Sequence, residues 1–189
     1  MEITLRDAVT VIHGMGLGAI LLLGFSGAFF ILYSLAFAGH PFTVRQQKFA
    51  NGYLIGLATL AWLAVLAGAY IIYPWYRAVP PSGVANFAEY PKHLLTASPT
   101  TSGWHDIGME WKEHCAWFAP LALTAVAALV IRYGGRLGEF RGLRNAAVAL
   151  LALAFVATGV AGFFGAMLNK YAPVRGGPEI VLMKGEGHG

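Results

Sequence analysis

Four long stretches of the sequence are apolar and almost free of charge, and short polar segments separate them. The first stretch contains no Asp, Glu, Lys or Arg between Ala8 and Val44. An apolar stretch of about 20 residues is long enough for a helix to cross the hydrocarbon core of a bilayer. The pattern therefore predicts membrane-spanning helices over about 9–38, 49–73, 107–133 and 145–169.

The ends of the first two helices carry recognisable signals. Gly39 and Pro41 follow the first apolar stretch and stop its helix. The tripeptide 36–38 is similar to a signal-peptide cleavage site, but the apolar stretch before it is far longer than a signal peptide contains. The second stretch closes on Tyr73, Trp75 and Arg77, a grouping typical of a membrane interface.

Two further segments are predicted to lie outside the apolar core. The region 74–106 contains several prolines and glycines, which argue against a long helix and favour an extramembrane cap. The glycine-rich tail 176–189 is predicted to be extended or flexible. The predicted fold class is therefore all-α: residues 1–189 form a single transmembrane domain, an integral membrane four-helix bundle with an extramembrane loop between helices 2 and 3.

Composition agrees with a membrane protein. Hydrophobic residues make up 57% of the 189 residues and charged residues 12%, about half the charged fraction of a soluble domain. The basic residues that raise the isoelectric point to 9.3 lie mostly in short loops, so they indicate topology and no nucleic-acid partner is expected. Cys115 is the one cysteine, which excludes both an intrachain disulfide and a c-type haem attachment motif.

The short loops also predict the orientation. Arg45 and Lys48 lie in the first loop, and Arg132, Arg136, Arg141 and Arg144 lie in the second. Basic residues concentrate in short cytoplasmic loops of membrane proteins. Both termini and the 74–106 cap are therefore expected outside, in the periplasm of a bacterial inner membrane.

Two histidines are predicted to lie at a similar depth in this bundle. His13 is about one turn into the first helix and His114 about two turns into the third, and both helices start outside. Two inward imidazoles at one level suit the iron of a b-type haem. The residues expected to complete a haem pocket are Gly14 and Gly16, which leave room for the ring, and Trp111 and Phe118, which share the face of His114.

With inward histidines on two of four helices, the chain resembles the small membrane b-type cytochromes that serve larger redox complexes. The resemblance covers the four apolar stretches and rests on His13 and His114. It implies haem b as cofactor and electron transfer as function. The remaining histidines fall at helix ends or in loops, which leaves room for one haem at most; they are His40, His93, His105 and His188.

A non-haem metal site is an alternative in the same region. Glu110 and His114 stand one helical turn apart and Glu113 is close to them. Histidine with carboxylates at this spacing binds transition metals. A simpler interpretation is a solvated interface turn in which the Lys112 side chain extends to the water.

Three functions therefore remain open from the sequence. The first is a membrane electron-transfer subunit that carries one haem b near the outer face. It passes electrons between a periplasmic redox partner, such as a cytochrome, and quinone or a partner subunit of a larger membrane redox complex. The second is a cofactor-free anchor or assembly subunit, and the third is a membrane metal-binding protein built on Glu110, Glu113 and His114. The first two favour an accessory subunit over a stand-alone enzyme, whereas the third includes a small metal-dependent membrane enzyme. All three place the chain in a lipid bilayer.

Overall fold

The computed structural model describes residues 2–37 and 42–181, of which the great majority are helical. Four helices in this part of the chain are long and apolar enough to cross a membrane. They are α1 (Leu5–Ala36), α2 (Val44–Tyr76), α4 (Pro99–Glu139) and α5 (Arg141–Tyr171), and a short helix α3 (Pro91–Thr96) precedes α4. The sequence thus predicted the number and order of the long helices. The predicted end of the first helix, at residue 38, lies outside the described residues.

The long helices form a ring in which each packs against its neighbours in the sequence and α5 returns to α1. Leucine, valine and alanine dominate the core between them, and many larger side chains point outward. Outward apolar side chains are normal for a protein whose solvent is lipid. The largest fully buried core side chains are Phe25, Leu32, Leu54, Leu123, Leu137, Leu151, Val126 and Val130.

The first two long helices begin with capping interactions that their sequences encode. Thr4 Oγ1 accepts a hydrogen bond from the backbone N–H of Asp7, whose carboxylate accepts one from the Thr4 N–H at 3.0 Å. Thr43 and Gln46 make the equivalent pair at the start of α2. These reciprocal bonds satisfy N–H groups that have no partner inside the helix.

Three of the long helices widen into π-helical turns, all towards the end of the bundle that carries the chain termini. The stretches are Ile12–Ala19 in α1, Gly68–Ile72 in α2 and Trp104–Met109 in α4. π-Helical turns are rare and often occur at functional sites, because they change the direction in which side chains point. A functional site is therefore expected at this end of the bundle.

Helix α4 is also interrupted at residues 115–117. Pro120 lacks an N–H, and its ring crowds the carbonyl four residues earlier, at Ala116. The chain responds with tighter bonds from the Phe118 N–H to the Cys115 carbonyl at 3.1 Å and from the Ala119 N–H to the Ala116 carbonyl at 3.3 Å. The break separates the polar start of α4 from its apolar part.

The segment between α2 and α4 differs from the predicted cap 74–106 at both ends. Helix α2 continues to Tyr76, and α4 begins at Pro99 instead of near residue 107. Proline suits the first turn of a helix, where no N–H partner is needed, and Ser98 caps this turn through the Thr100 N–H. The prolines therefore mark the start of α4 as well as the irregular chain before it. Residues 104–107, at the end of the predicted cap, are helical.

The two ends of the described chain pair as short antiparallel strands, β1 (Glu2–Thr4) and β2 (Glu179–Val181). The pairing is continued by a hydrogen bond from the Leu5 N–H to the Pro178 carbonyl at 2.8 Å. An extended tail was predicted for 176–189, but its partner strand was not, and residues 182–189 lie outside the described residues. The pairing places both ends of the described chain at the same end of the bundle, as an even number of long antiparallel helices requires.

Small residues bring α1 and α2 close together. Tyr53 on α2 donates a hydrogen bond to the Gly24 carbonyl of α1 at 2.8 Å. A methyl group on Gly27 would overlap the Tyr53 ring and hydroxyl, whereas a methyl group on Gly52 would meet nothing within 4 Å. Close backbone approach of this kind associates helices in lipid, where apolar burial does not.

We predict that Gly27→Ala lowers the free energy of unfolding by about 1–3 kcal/mol, because overpacking displaces Tyr53 and breaks its bond to Gly24. Gly52→Ala is the matched control and is expected to leave stability unchanged or slightly raised. Both are measured by denaturant unfolding of the purified protein in detergent. Equal effects of the two substitutions would contradict the close contact of α1 and α2 at Gly27.

Candidate functional site

His13 lies in the first π-helical stretch and faces α2. Its imidazole lies directly against Gly68, so that a Cβ on that glycine would stand 3.0 Å from the ring Cε1 atom. Gly68 itself begins the π-helical stretch of α2. The absence of a side chain at Gly68 is thus what gives the imidazole its space between the two helices.

Lys112 extends from the start of α4 between the helices instead of towards water. Its ammonium donates a hydrogen bond to the Ala161 carbonyl of α5 at 3.3 Å and lies against Gly165, one helical turn away. It is also close enough to His13 to act on that side chain electrostatically. In residues 2–37 and 42–181 no carboxylate lies within ion-pair distance of it.

Three buried hydrogen-bonding atoms on α1 and α4 have no partner in the part of the chain that the structure describes. They are Thr10 Oγ1, His13 Nδ1 and Trp111 Nε1. Thr10 stands one turn before His13 on the same helix face, and Trp111 is adjacent to Lys112 in sequence. Buried polar atoms without partners are few in folded proteins, and each requires an explanation. We call Thr10, His13, Trp111 and Lys112 the polar centre.

A second group of polar side chains lies beside this centre, between the end of α2 and the start of α4. The Tyr76 hydroxyl is 2.8 Å from His105 Nδ1, and the Tyr76 side chain is buried. Glu113 lies close to both Tyr73 and Tyr76. His105 was expected in the cap, and the early start of α4 is what places it in a helix against Tyr76.

The structure does not bring His114 towards His13. The His114 side chain is 72% exposed, and its Nδ1 atom is 3.0 Å from the Glu110 carbonyl and 3.5 Å from the Glu110 carboxylate. Two residues along an α-helix correspond to about 200° of rotation, so His114 points away from the face that carries Lys112. The two imidazoles therefore point in different directions in this structure, and the haem b hypothesis stays a prediction.

The other residues predicted to line a haem pocket are divided in the same way. Trp111 is partly buried in the polar centre, whereas Phe118 is 37% exposed. Gly14 is exposed and open around its Cα, and Gly16 contacts only Ile12 of its own helix. Within the described residues, neither glycine has an atom of another helix within 4 Å of the position that a Cβ would take.

The alternative non-haem metal residues are also separated. Glu110 pairs with His114 on the outer face of α4, whereas Glu113 turns to the tyrosines of α2. Within the described residues no group of three or more His, Cys, Asp or Glu side chains lies close enough to share a metal ion. The geometry therefore gives this alternative no support.

Lys112 and Gly68 are the site residues that sequence reasoning missed. Lys112 was expected to extend to water because it stands among charged neighbours. The available signal was its helical phase: Ala119 and Val126, seven and fourteen residues further on, are both buried. Residues at this spacing share a helix face, so an inward direction follows for Lys112.

No protein-family model, curated protein or solved structure matches this chain.

We predict that Lys112→Met leaves the free energy of unfolding unchanged or raises it by about 1 kcal/mol, because an unpaired charge held away from water is costly. Methionine is similar in length to lysine but cannot donate the hydrogen bond to the Ala161 carbonyl. The measurement is denaturant unfolding in detergent, with Lys170→Met at the exposed end of α5 as control. A loss of more than about 1 kcal/mol in Lys112→Met alone would assign Lys112 a packing role instead of a functional one.

Proposed function

We propose that the protein is a membrane electron-transfer subunit that binds the headgroup of a membrane quinone at the polar centre. The observation that carries the proposal is the set of buried hydrogen-bonding atoms on α1 and α4 that lack a partner within the described residues, together with the Lys112 ammonium, which has no carboxylate within ion-pair distance there. An intramembrane ionisable residue is by default a functional candidate. Lys112 is such a residue, and Thr10 Oγ1, His13 Nδ1 and Trp111 Nε1 have no hydrogen-bond partner within the described residues.

The chemistry of the centre selects the class of ligand. Ammonium and indole groups only donate hydrogen bonds, and a threonine hydroxyl can donate one. A quinone offers two carbonyl acceptors on a flat apolar ring, reaches the protein through lipid and brings no charge into the bundle. Binding pockets for small molecules combine apolar walls with a few polar groups, and the polar centre likewise places a few polar groups among apolar helices.

Each side chain has a definite part in this proposal. Lys112 and Trp111 donate hydrogen bonds to a headgroup carbonyl. His13, whose Nδ1 has no partner among residues 2–37 and 42–181, accepts or supplies the proton that accompanies a change in redox state. The electrons come from a redox-partner subunit or a periplasmic cytochrome, and the segment between α2 and α4 is the surface proposed to meet it.

The haem b hypothesis predicts a different result in one experiment. A reduced-minus-oxidised spectrum with a b-type signal that disappears in both His13→Ala and His114→Ala would overturn the quinone proposal and favour haem. The outward direction of His114 and its pairing with Glu110 are the reasons to prefer the quinone.

We predict that the purified protein binds a short-chain benzoquinone saturably, measured by titration calorimetry in detergent. Lys112→Gln and His13→Gln are each expected to weaken binding about tenfold or more, because a hydrogen bond from a charged or buried donor contributes about 1.5–3 kcal/mol. Lys112→Arg retains the charge and is expected to retain part of the affinity.

His114→Gln is the matched control, since it removes an imidazole from the exposed face of the same helix. Its affinity is expected to equal that of the unaltered protein, and thermal unfolding verifies that each variant is folded. If no saturable binding is found, or if His114→Gln weakens binding as much as His13→Gln, the proposal fails. A protein that is folded but binds no quinone would favour the cofactor-free anchor function.

The proposed location is a bacterial inner membrane with both termini in the periplasm. We predict that alkaline phosphatase fused after Gly189 is active, because this enzyme folds only outside the cytoplasm, and that a reporter active only in the cytoplasm is silent there. Fusions within the Arg132–Arg144 region are expected to give the opposite pattern. The reverse result at both positions would invert the orientation.

A further inference from the structure

A pocket of about 450 Å³ opens at the end of α5, on the side of the bundle that carries β1 and β2. Its lining combines the last turn of α5, the chain that follows it and the segment before α4. Its lining includes Leu94, Asn169, Lys170, Tyr171 and Arg175. It is separate from the polar centre, to which none of these residues belongs.

The pocket has two cationic side chains without an anionic partner. Lys170 lies over the Tyr171 ring at 5.6 Å, and both Lys170 and Arg175 are exposed. Across the described ranges neither has a carboxylate within ion-pair distance. Glu89 lies near Gly176 and Arg6. An anion is thus the complement that this pocket lacks.

An exposed apolar row continues from the pocket along α5. Phe163 and Val156 precede Lys170 by seven and fourteen residues, and each is 55% exposed. Seven residues are almost two turns, about 10.5 Å along the axis, so the three side chains lie on one face. A cation at the membrane boundary above an apolar row fits a molecule with an anionic head and a long apolar chain.

We propose that this pocket is a binding site for an anionic phospholipid, with its phosphate between Lys170 and Arg175 and an acyl chain against Phe163 and Val156. Lysine and arginine side chains near a membrane surface attract anionic lipid headgroups electrostatically; the proposed orientation places this lipid in the outer leaflet. Asn169 lines the headgroup region with an amide, and Leu94 with an apolar side chain. The proposal does not depend on the quinone site.

The test is native mass spectrometry of the full-length protein titrated with phosphatidylglycerol and with phosphatidylcholine of equal chain length. Phosphatidylglycerol is expected to bind more tightly, and Lys170→Gln/Arg175→Gln is expected to weaken it about thirtyfold, at roughly 1 kcal/mol for each cation. The matched control is Arg132→Gln/Arg141→Gln, which removes the same charge at the opposite end of the bundle. Val156→Ser is expected to weaken the long-chain lipid but not dihexanoyl phosphatidylglycerol.

Three results would overturn the proposal. One is equal affinity for the two lipids, and another is an equal loss in the opposite-end control. The third is binding of inorganic phosphate with the same affinity as phosphatidylglycerol, which would identify a site for a free anion. A Lys170→Gln/Arg175→Gln protein that does not fold is replaced by the two single substitutions, each expected to lower affinity about fivefold.

Discussion

The four long helices are long and apolar enough for a bilayer, where backbone polar groups must find their partners within the protein. Because apolar burial does not hold helices together there, close backbone contacts and a few interhelical hydrogen bonds take its place. Tyr53 donates a hydrogen bond to the Gly24 carbonyl and joins α2 to α1, and Trp62 donates one to Thr124 at 3.1 Å and joins α2 to α4. The same requirement explains why irregular backbone in the bundle stays helical: π turns and tightened turns keep their hydrogen bonds within the chain.

The polar centre departs from this pattern, because several of its polar atoms have no partner within the described residues. A buried ammonium and several unpartnered polar atoms cost stability wherever they occur, and a packed apolar group in their place would be cheaper. Natural proteins break such rules mainly at functional sites. The three π-helical stretches lie towards the same end of the bundle, and Gly68 is part of one and makes room for His13. Local backbone distortion and polar burial therefore coincide, and their coincidence is the basis of the proposed function.

The sequence predicted the architecture well and the site only partly. Long uncharged stretches leave few alternatives to membrane helices, so their number and order follow from composition and length alone. His13 was found because a histidine in an apolar helix is conspicuous. Lys112 was placed in water because its neighbours are charged, and only its phase relative to Ala119 reveals its inward direction. The pairing of β1 with β2 depends on contacts between distant parts of the chain, which local patterns do not encode.

The strand pairing has a mechanical consequence. Since β1 leads directly into α1 and β2 follows α5, the first and last helices are tethered to each other at one end, and Arg6 reinforces the tether by bonding to the Arg175 carbonyl at 3.2 Å. Sliding of α1 past α5 would have to break this tether. Tilting that spreads the helices at the opposite end would leave it intact, so the tethered end acts as the fulcrum of any rocking motion in the bundle.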